Sequence, residues 1–338
     1  MVVGGFPVGE DGRVHGAFTH NPSSLRLSMV DPNLQNIPRG TDSEVEKWVK
    51  ECFVAPAGYE FWACDYSGIE AVLVGYFAGS ARYVRLAKLG VHAFLASHIL
   101  GRPADVGWSD ADLRTAFAEV KLNKSIYDKA KRTVHASNYM VMPAKLTYEY
   151  PEVFPTPKDA AKLQSLYFDL FPEIREWHQD LCLRVDGTKK RKGEVDDPWT
   201  LGVCHVINPF GYVHRFYNVL NWEKVEIDGK EEWVHSYGED AKRLVSNLPQ
   251  STGAAILKKA TKRIWTEYPE VGDTLRLLIH DEIFGEAKDK KVEECLAVSK
   301  KIMEEPIEEL PLDPKWGMGT HLTIGTEGKR GKTWATMK

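Results

Sequence analysis

The sequence predicts an α+β fold in which a mainly helical segment is inserted into a domain built on an antiparallel sheet. Strand-like apolar runs end at Asp65 and at Asp281, and the region between them spaces its apolar residues as helices do. A chain of 338 residues exceeds the usual size of one domain. We therefore expect two subdomains.

Local patterns assign the elements along the chain. Turn-forming residues fill 1–44, which predicts loop with short extended pieces. Aromatic and apolar residues predict a buried strand over 59–64, and Ser67 is placed to begin a helix that ends at Phe77. Further helices are predicted at 82–100, 110–146, 158–185, 239–267 and 290–305, a basic loop at 187–198, irregular or hairpin structure at 207–233, a hairpin at 275–287 and a late strand at 321–325.

Charge and cysteine content limit the functional classes. The five cysteines are scattered without CxxC spacing, which argues against a disulfide framework and a zinc site. No apolar run is long enough for a membrane span and no export signal opens the chain, so we expect a cytoplasmic protein with no membrane partner. The formal net charge of -4 does not by itself indicate a nucleic-acid binder, but phosphate affinity depends on local basic clusters.

Two aspartates carry the most informative chemistry. Asp65 and Asp281 each stand where a strand-like run ends, and two carboxylates placed in this way suit a pair of magnesium ions for in-line phosphoryl transfer. A nucleotidyl transferase is therefore the leading hypothesis. Taken singly, an aspartate after a strand is more often a turn former or a cap, and Ser67 with Glu70 fits the S-x-x-E capping box.

A stripe of side chains on the middle helix favours the same chemistry. Lys131, His135 and Tyr139 are four residues apart, so they lie on one helix face. The lysine can pair with phosphate, the histidine can donate a proton to a departing oxyanion, and the tyrosine can pack on sugar and base. The alternative is a solvated helix face with a tyrosine at its edge.

Five segments of the chain form a specific set. They are 24–38 (with SLRLS and DPNLQNIP), 65–70 (DYSGIE), 131–139 (KRTVHASNY), 249–255 (PQSTGAA) and 280–282 (HDE). In content and order they resemble the opening segment, motif A, motif B, the primer-terminus helix and motif C of the family A DNA polymerases, especially the phage branch. The resemblance implies a palm made of residues 1–80 and 241–338, with an antiparallel sheet, and an inserted helical fingers subdomain made of residues 81–240.

The resemblance also implies a catalytic centre with two Mg²⁺ ions. Asp65 and Asp281 would bind them with help from the backbone carbonyl of Tyr66, one ion activating the primer 3′ hydroxyl and the other holding the triphosphate and the leaving pyrophosphate. His135 stands where most members of the family carry a lysine that contacts phosphate and protonates pyrophosphate. It is therefore the third expected catalytic residue.

Two sets of binding residues follow from the same resemblance. Glu70 would be a steric gate that rejects ribonucleotides, and Tyr139 implies tolerance of dideoxynucleotides. The dNTP would be bound by His92, Lys131, Arg132, His135 and Tyr139. Primer-template DNA would be contacted by Arg26, Asn33, Gln35, Lys242, Gln250 and His280, through minor-groove acceptors common to all base pairs.

Two positions after motif B differ from the family pattern. Met140 replaces a usual glycine, and Pro143 stands where a family tyrosine closes the pocket for the template base. A proline lacks the backbone donor that a helix interior needs, so we expect it to kink or end the helix.

The family's thumb and exonuclease domains precede its opening segment, whereas this sequence begins about two dozen residues before Arg26. We expect a split viral enzyme in which a second polypeptide supplies the thumb and the 3′-5′ exonuclease, with an excised fragment as the alternative. Rival functions are an enzyme like the single-subunit RNA polymerases, which Glu70 argues against, a noncatalytic nucleic-acid-binding subunit and a metal-dependent nuclease.

His135 leads to the first testable prediction. Because imidazole loses its charge near neutral pH, acid catalysis by His135 should make activity fall more steeply in alkali than a lysine would. Single-turnover primer extension from about pH 7 to about pH 9 measures this loss. A flat profile over that range would count against His135 as the acid.

Overall fold

The computed structural model describes residues 6–19, 24–37, 44–187, 200–202, 204–227 and 230–338. The helices of these residues are α1 Glu44–Glu51, α2 Ile69–Phe77, α3 Ala81–Leu89, α4 Val91–Ile99, α5 Asp110–Lys121, α6 Lys124–Asn138, α7 Pro143–Glu149, α8 Pro157–Leu170, α9 Pro172–Asp186, α10 Ala241–Glu267, α11 Pro269–Gly272 and α12 Val292–Met303. The strands are β1 Ala17–Thr19, β2 Ser28–Val30, β3 Tyr59–Tyr66, β4 Thr200–Gly202, β5 His205–Ile207, β6 Val213–Arg215, β7 Leu220–Ile227, β8 Lys230–Tyr237, β9 Leu275–Ile279, β10 Glu282–Lys288, β11 Ile307–Pro311, β12 His321–Leu322 and β13 Thr326–Gly331.

The chain forms two compact units. The first contains Met1–Ser67, Gly253–Ile307 and Thr323–Lys338, and the second contains Gly68–Thr252 and Glu308–Leu322. An antiparallel sheet organises the first unit and helices dominate the second. The predicted α+β class with a mainly helical insertion is therefore confirmed, while the palm and fingers boundaries stay a prediction.

A four-stranded antiparallel sheet in the order β13-β3-β10-β9 is the centre of the first unit, and α12 packs against it. On β3, Phe61 and Ala63 lie in an apolar cluster, and Trp62 and Cys64 are buried on the opposite face. Asp65 follows Ala63 on the same face of the strand. The carboxylate therefore stands at the end of this face of the strand, beyond the buried Phe61 and Ala63.

A close contact between Trp62 and Gly285 fixes the register of β3 against β10. The two residues are paired across the strands, and a Cβ atom on residue 285 would lie 2.4 Å from the indole ring. Only glycine fits opposite this ring. The same register pairs Asp65 with Glu282.

The predicted hairpin at 275–287 is present as β9 and β10, joined by the two-residue turn His280 and Asp281. His280 has a φ of 57°, in the left-handed region. This conformation costs a residue other than glycine about 1–3 kcal/mol, and such strain concentrates at functional sites.

Three helices predicted as long runs are shorter in the structure. The run 82–100 breaks at Gly90, whose φ is 135°, and the run 158–185 breaks before Pro172. The run 110–146 divides into α5, α6 and α7. Apolar spacing continues across these breaks, so helical periodicity alone does not reveal them.

Other predictions need correction. The helix predicted at 239–267 is present as α10, which begins at Ala241 and contains Pro249 in its interior. Of the late strand predicted at 321–325, only His321–Leu322 is strand. The longer β13 follows it at an edge of the sheet, and its polar sequence gave no apolar signal from which to predict a strand. The basic loop predicted at 187–198 lies, from residue 188 onward, outside the described residues.

None of the described helices combines the length and the apolar character needed to cross a bilayer.

The chain turns sharply between α6 and α7. The helix α6 ends at Asn138, and Pro143 is the first residue of α7, where its missing N–H breaks no hydrogen bond. The expected end of the helix therefore comes before the proline, and Met140 has a φ of 53° within the turn. Glycine usually supplies this left-handed residue after a helix.

Replacing Met140 by glycine should relieve this strain. We expect Met140→Gly to raise the free energy of unfolding by up to about 1 kcal/mol. Tyr148→Gly is the control, since Tyr148 is exposed within the helix α7, and it should lower stability by about 0.5–1 kcal/mol. Chemical denaturation measures both changes, and equal losses in the two variants would contradict the interpretation.

Candidate functional site

The first unit brings the two predicted aspartates to one pocket. Asp65 and Asp281 line a pocket of about 480 Å³ together with His280, Glu282 and Lys329. Asp65 comes from the end of β3 and Asp281 from the turn between β9 and β10. The sheet thus places on one surface two carboxylates that are far apart in sequence.

Tyr66 links the two strand ends through its main chain. Its N–H donates a hydrogen bond of 3.3 Å to the carbonyl oxygen of Asp281. The ring is buried, and burial raises the pKa of its hydroxyl well above the usual value. Tyr66 therefore contributes backbone atoms, not its phenol, to this part of the site.

Three lysines, Lys47, Lys50 and Lys329, line the pocket together with the carboxylates. Lys329 Nζ is 3.5 Å from Glu282 Oε2 and 3.8 Å from Asp65 Oδ2. Burial raises the pKa of Glu282, the charge of Lys329 lowers it, and the charge of Asp65 raises it further. The carboxylates of the pocket are therefore partly desolvated and are stabilised in their charged form by nearby lysines.

The donor atoms of this pocket suit magnesium. Magnesium takes oxygen ligands, retains several waters and is commonly held by one or two carboxylates together with substrate phosphates. Across the described ranges, no group of three or more His, Cys, Asp or Glu side chains forms a complete metal site. Asp65 and Asp281 therefore fit an ion that takes its other ligands from water and phosphate.

The opening segment is fixed to the hairpin by side chains that were predicted to bind DNA. Asn33 Oδ1 accepts a hydrogen bond of 3.0 Å from the N–H of Gln35. Gln35 Nε2 donates to the carbonyl oxygens of Leu27, at 3.1 Å, and Leu278, at 2.8 Å. Arg26 lines a small pocket that includes Gln35. Asn33 and Gln35 thus have a structural role, and DNA binding by this segment stays a prediction.

In the second unit, α6 presents the predicted stripe and ends in a small polar cluster. Lys131 and His135 are exposed, and Tyr139, the residue that caps the helix, is buried. The Tyr139 hydroxyl donates a hydrogen bond of 2.6 Å to Glu70 Oε2, and His135 Nδ1 lies 3.9 Å from the same oxygen. The rings of His135 and Tyr139 meet edge to face, with centroids 5.1 Å apart.

The capping-box interpretation of Ser67 and Glu70 is wrong. The N-cap residue of α2 is Gly68, which has a φ of 64° and offers no side chain for capping. Glu70 instead accepts the hydrogen bond from Tyr139, 69 residues further along the chain. Spacing within the motif could not reveal a partner at that distance in sequence.

The surroundings of His92 and Arg132 affect the roles in dNTP binding that were predicted for them. Burial, and then the charge of Lys131, lower the pKa of His92 to about 4, so its imidazole is neutral at pH 7 and can donate a hydrogen bond to phosphate but carries no charge. Arg132 Nε donates to Asp128 Oδ2 at 2.7 Å, and its guanidinium lies 3.8 Å from the centre of the Tyr150 ring. These contacts hold Arg132 on the flank of α6.

Lys242 and Gln250 both lie on α10. Lys242 is exposed in the first turn, and Gln250 is partly buried directly after Pro249. Their contact with DNA stays a prediction.

A buried polar network that the sequence did not reveal fixes the end of α6. The hydroxyls of Tyr83 and Tyr167 both donate to Asn138 Oδ1, Tyr83 at 3.0 Å, and the two hydroxyls lie 2.8 Å apart. His178 Nε2 lies 3.0 Å from the carbonyl oxygen of Asn138. Three other helices thereby hold the residue next to Tyr139. Asn138 stands in motif B, but no local pattern points to these partners.

Comparison with known proteins gives a consistent result. The family model described as DNA polymerase family A matches residues 7–334. The chain is 29% identical over 318 residues to the thermostable DNA polymerase I of Thermus thermophilus and 26% identical over 313 residues to the DNA polymerase I of Deinococcus radiodurans. Each match covers 91% of this chain but 32% and 28% of the relative, so the chain spans about a third of these proteins.

A solved structure has the same fold. It is described as the POL domain of Pol1 from M. smegmatis in complex with DNA primer-template and dNTP, and it matches with a TM-score of 0.67 at 21% identity. The match covers 98% of this chain and 49% of the other. The named relatives are bacterial, so a phage origin stays a prediction.

His178 should make the protein less stable in acid. Burial lowers its pKa from 6.5 to about 4, so between these values the unfolded chain binds a proton that the folded chain does not. The free energy of unfolding should therefore fall as the pH falls from about 6.5 to about 4, by up to about 3 kcal/mol. Denaturation at several pH values should give a shallower dependence for His178→Gln than for the wild type, and identical slopes would contradict this.

Proposed function

Because the chain belongs to DNA polymerase family A, we propose that it catalyses the template-directed transfer of a dNTP to a primer 3′ hydroxyl. The observation that carries this proposal is the placement of Asp65 and Asp281 on one pocket by the pairing of β3 with the hairpin. The cluster of Glu70, His135 and Tyr139 on the second unit supports it, since these side chains suit the selection of a nucleotide.

Asp65 and Asp281 are the proposed ligands of two Mg²⁺ ions, with the carbonyl oxygen of Tyr66 as a further ligand. When bound, the ions would activate the primer hydroxyl and neutralise charge on the triphosphate. The chain's own contribution is positioning: the sheet holds one carboxylate, and the hydrogen bond from Tyr66 to Asp281 holds the backbone of the other. Pre-positioned charge of this kind is a large part of catalysis in phosphoryl transfer.

The second unit supplies the proposed nucleotide contacts. Lys131 is exposed on α6 and can pair with the triphosphate as a point charge. His92, neutral at pH 7, can donate a hydrogen bond, and His135 is the proposed proton donor to pyrophosphate. Glu70 is oriented by Tyr139 and would exclude a 2′ hydroxyl by its bulk and charge.

Primer-template DNA is the proposed macromolecular substrate. Arg26, Gln35 and His280 lie in the first unit beside the aspartates, where they can contact the primer strand. Since the chain spans only part of its relatives, we propose that a thumb, either on a second polypeptide or on a longer form of this one, prolongs the contact with DNA. A thumb-bearing partner should raise processivity when it is mixed with this chain. If mixing gives no complex and no gain in processivity, the proposal of a second polypeptide is wrong.

Removal of one carboxylate tests the chemistry directly. Asp281→Asn should reduce primer extension with Mg²⁺ on the order of a thousandfold, because it removes a metal ligand without changing the size of the side chain. Asp273→Asn is the matched control, since Asp273 is exposed just before β9, and it should extend primers as the wild type does. Parallel reactions with dNTPs and rNTPs separate a DNA polymerase from an RNA polymerase. Undiminished extension by Asp281→Asn, with the fold intact by circular dichroism, would contradict the proposal.

A further inference from the structure

Three lysines, Lys47, Lys50 and Lys329, line the pocket of the two aspartates. Lys329 has no role in the sequence motifs or in the proposed chemistry. We propose that Lys329 is a built-in counter-cation that positions Asp65 and Glu282 in the metal-free chain and competes with divalent metal for them. This inference rests on the proposed function, because it takes Asp65 as a metal ligand.

Strand register puts the lysine on the face of the sheet that carries the carboxylates. The strand β13 pairs with β3 so that Glu327 lies opposite Asp65 and Lys329 lies opposite Ala63. Residues opposite each other in an antiparallel pair share a face, and diagonal neighbours are within reach of long side chains. Lys329 is such a diagonal neighbour of Asp65.

Glu282 reaches the same lysine from the other side of β3. It pairs with Asp65 in the β3–β10 register, so two acidic side chains are direct neighbours on one face. Like charges in that arrangement repel. Lys329 Nζ, at 3.5 Å from Glu282 and 3.8 Å from Asp65, offsets the repulsion. The side chains of Lys329 and Asp65 are 36% and 33% exposed, and that of Glu282 is 16% exposed, so the charges are only partly screened by water.

The distances suit an exchangeable contact. Both are longer than the 2.7–2.9 Å of a tight charge-assisted hydrogen bond. When a divalent ion binds Asp65, the carboxylate is already paired with the ammonium group of Lys329. Either the lysine side chain moves away, or its positive charge weakens the binding of the ion. Lys329 therefore keeps the site ordered without metal and lowers its affinity for metal that arrives without a nucleotide.

Direct binding of Mn²⁺ tests the competition without relying on activity. Titration followed by electron paramagnetic resonance should show roughly tenfold tighter Mn²⁺ binding to Lys329→Met than to the wild type, the effect of removing one charge at this distance. In EDTA the same variant should melt at a lower temperature than the wild type, since Asp65 and Glu282 then lose a neighbouring positive charge while Lys50 still acts on Glu282. Lys329→Arg, which keeps the charge, should restore wild-type Mn²⁺ affinity.

Lys332→Met is the matched control. Lys332 pairs with Asp289 at 2.7 Å and with Glu60 at 3.5 Å, so its loss should leave Mn²⁺ affinity unchanged. The inference would be overturned if Lys329→Met bound Mn²⁺ no more tightly than the wild type while Asp281→Asn still abolished binding. That result would leave the proposed function standing. A wild-type chain whose Mn²⁺ binding does not depend on Asp281 would instead contradict the proposed metal site itself.

Discussion

The antiparallel pairing of β3 with β10 is the constraint on which the rest of the first unit depends. It runs from Asp65 opposite Glu282 to Tyr59 opposite Lys288. A slip of one residue would turn Asp65 to the other face of the sheet. The Trp62 ring over Gly285 opposes such a slip, because no other residue fits beneath it. Core packing thus decides where the carboxylate stands, and the chemistry depends on that packing.

In the second unit, buried contacts likewise fix the polar cluster of Glu70, His135 and Tyr139. Buried hydroxyls of Tyr83 and Tyr167 bind Asn138, which holds the end of α6. Tyr139 follows directly and orients Glu70 by a short hydrogen bond. A buried polar network is costly when it is incomplete, so it specifies one arrangement. In each unit, buried contacts set the position of the side chains to which the proposed function assigns roles.

The features predicted from the sequence are those with local signals. The hairpin at residues 280 and 281 follows from apolar runs, and the placement of Lys131 and His135 on one helix face follows from helical spacing; the structure has both. The contacts of Glu70 and Lys329 could not be predicted, because their partners lie far away in sequence and α2 and β13 carry no local sign of them. The sequence TEGKRG of β13 lacks the apolar alternation by which strands are identified, so the lysine beside the aspartates was missed.

The proposed function depends most directly on the binding of metal ions by Asp65 and Asp281. Crystals of the chain grown with primer-template, a nonhydrolysable dNTP and Mn²⁺ would locate these ions by anomalous scattering. We expect anomalous peaks at the carboxylate oxygens of both aspartates, with the triphosphate as a shared ligand. Peaks elsewhere, with a bound dNTP and no metal at either aspartate, would contradict the account.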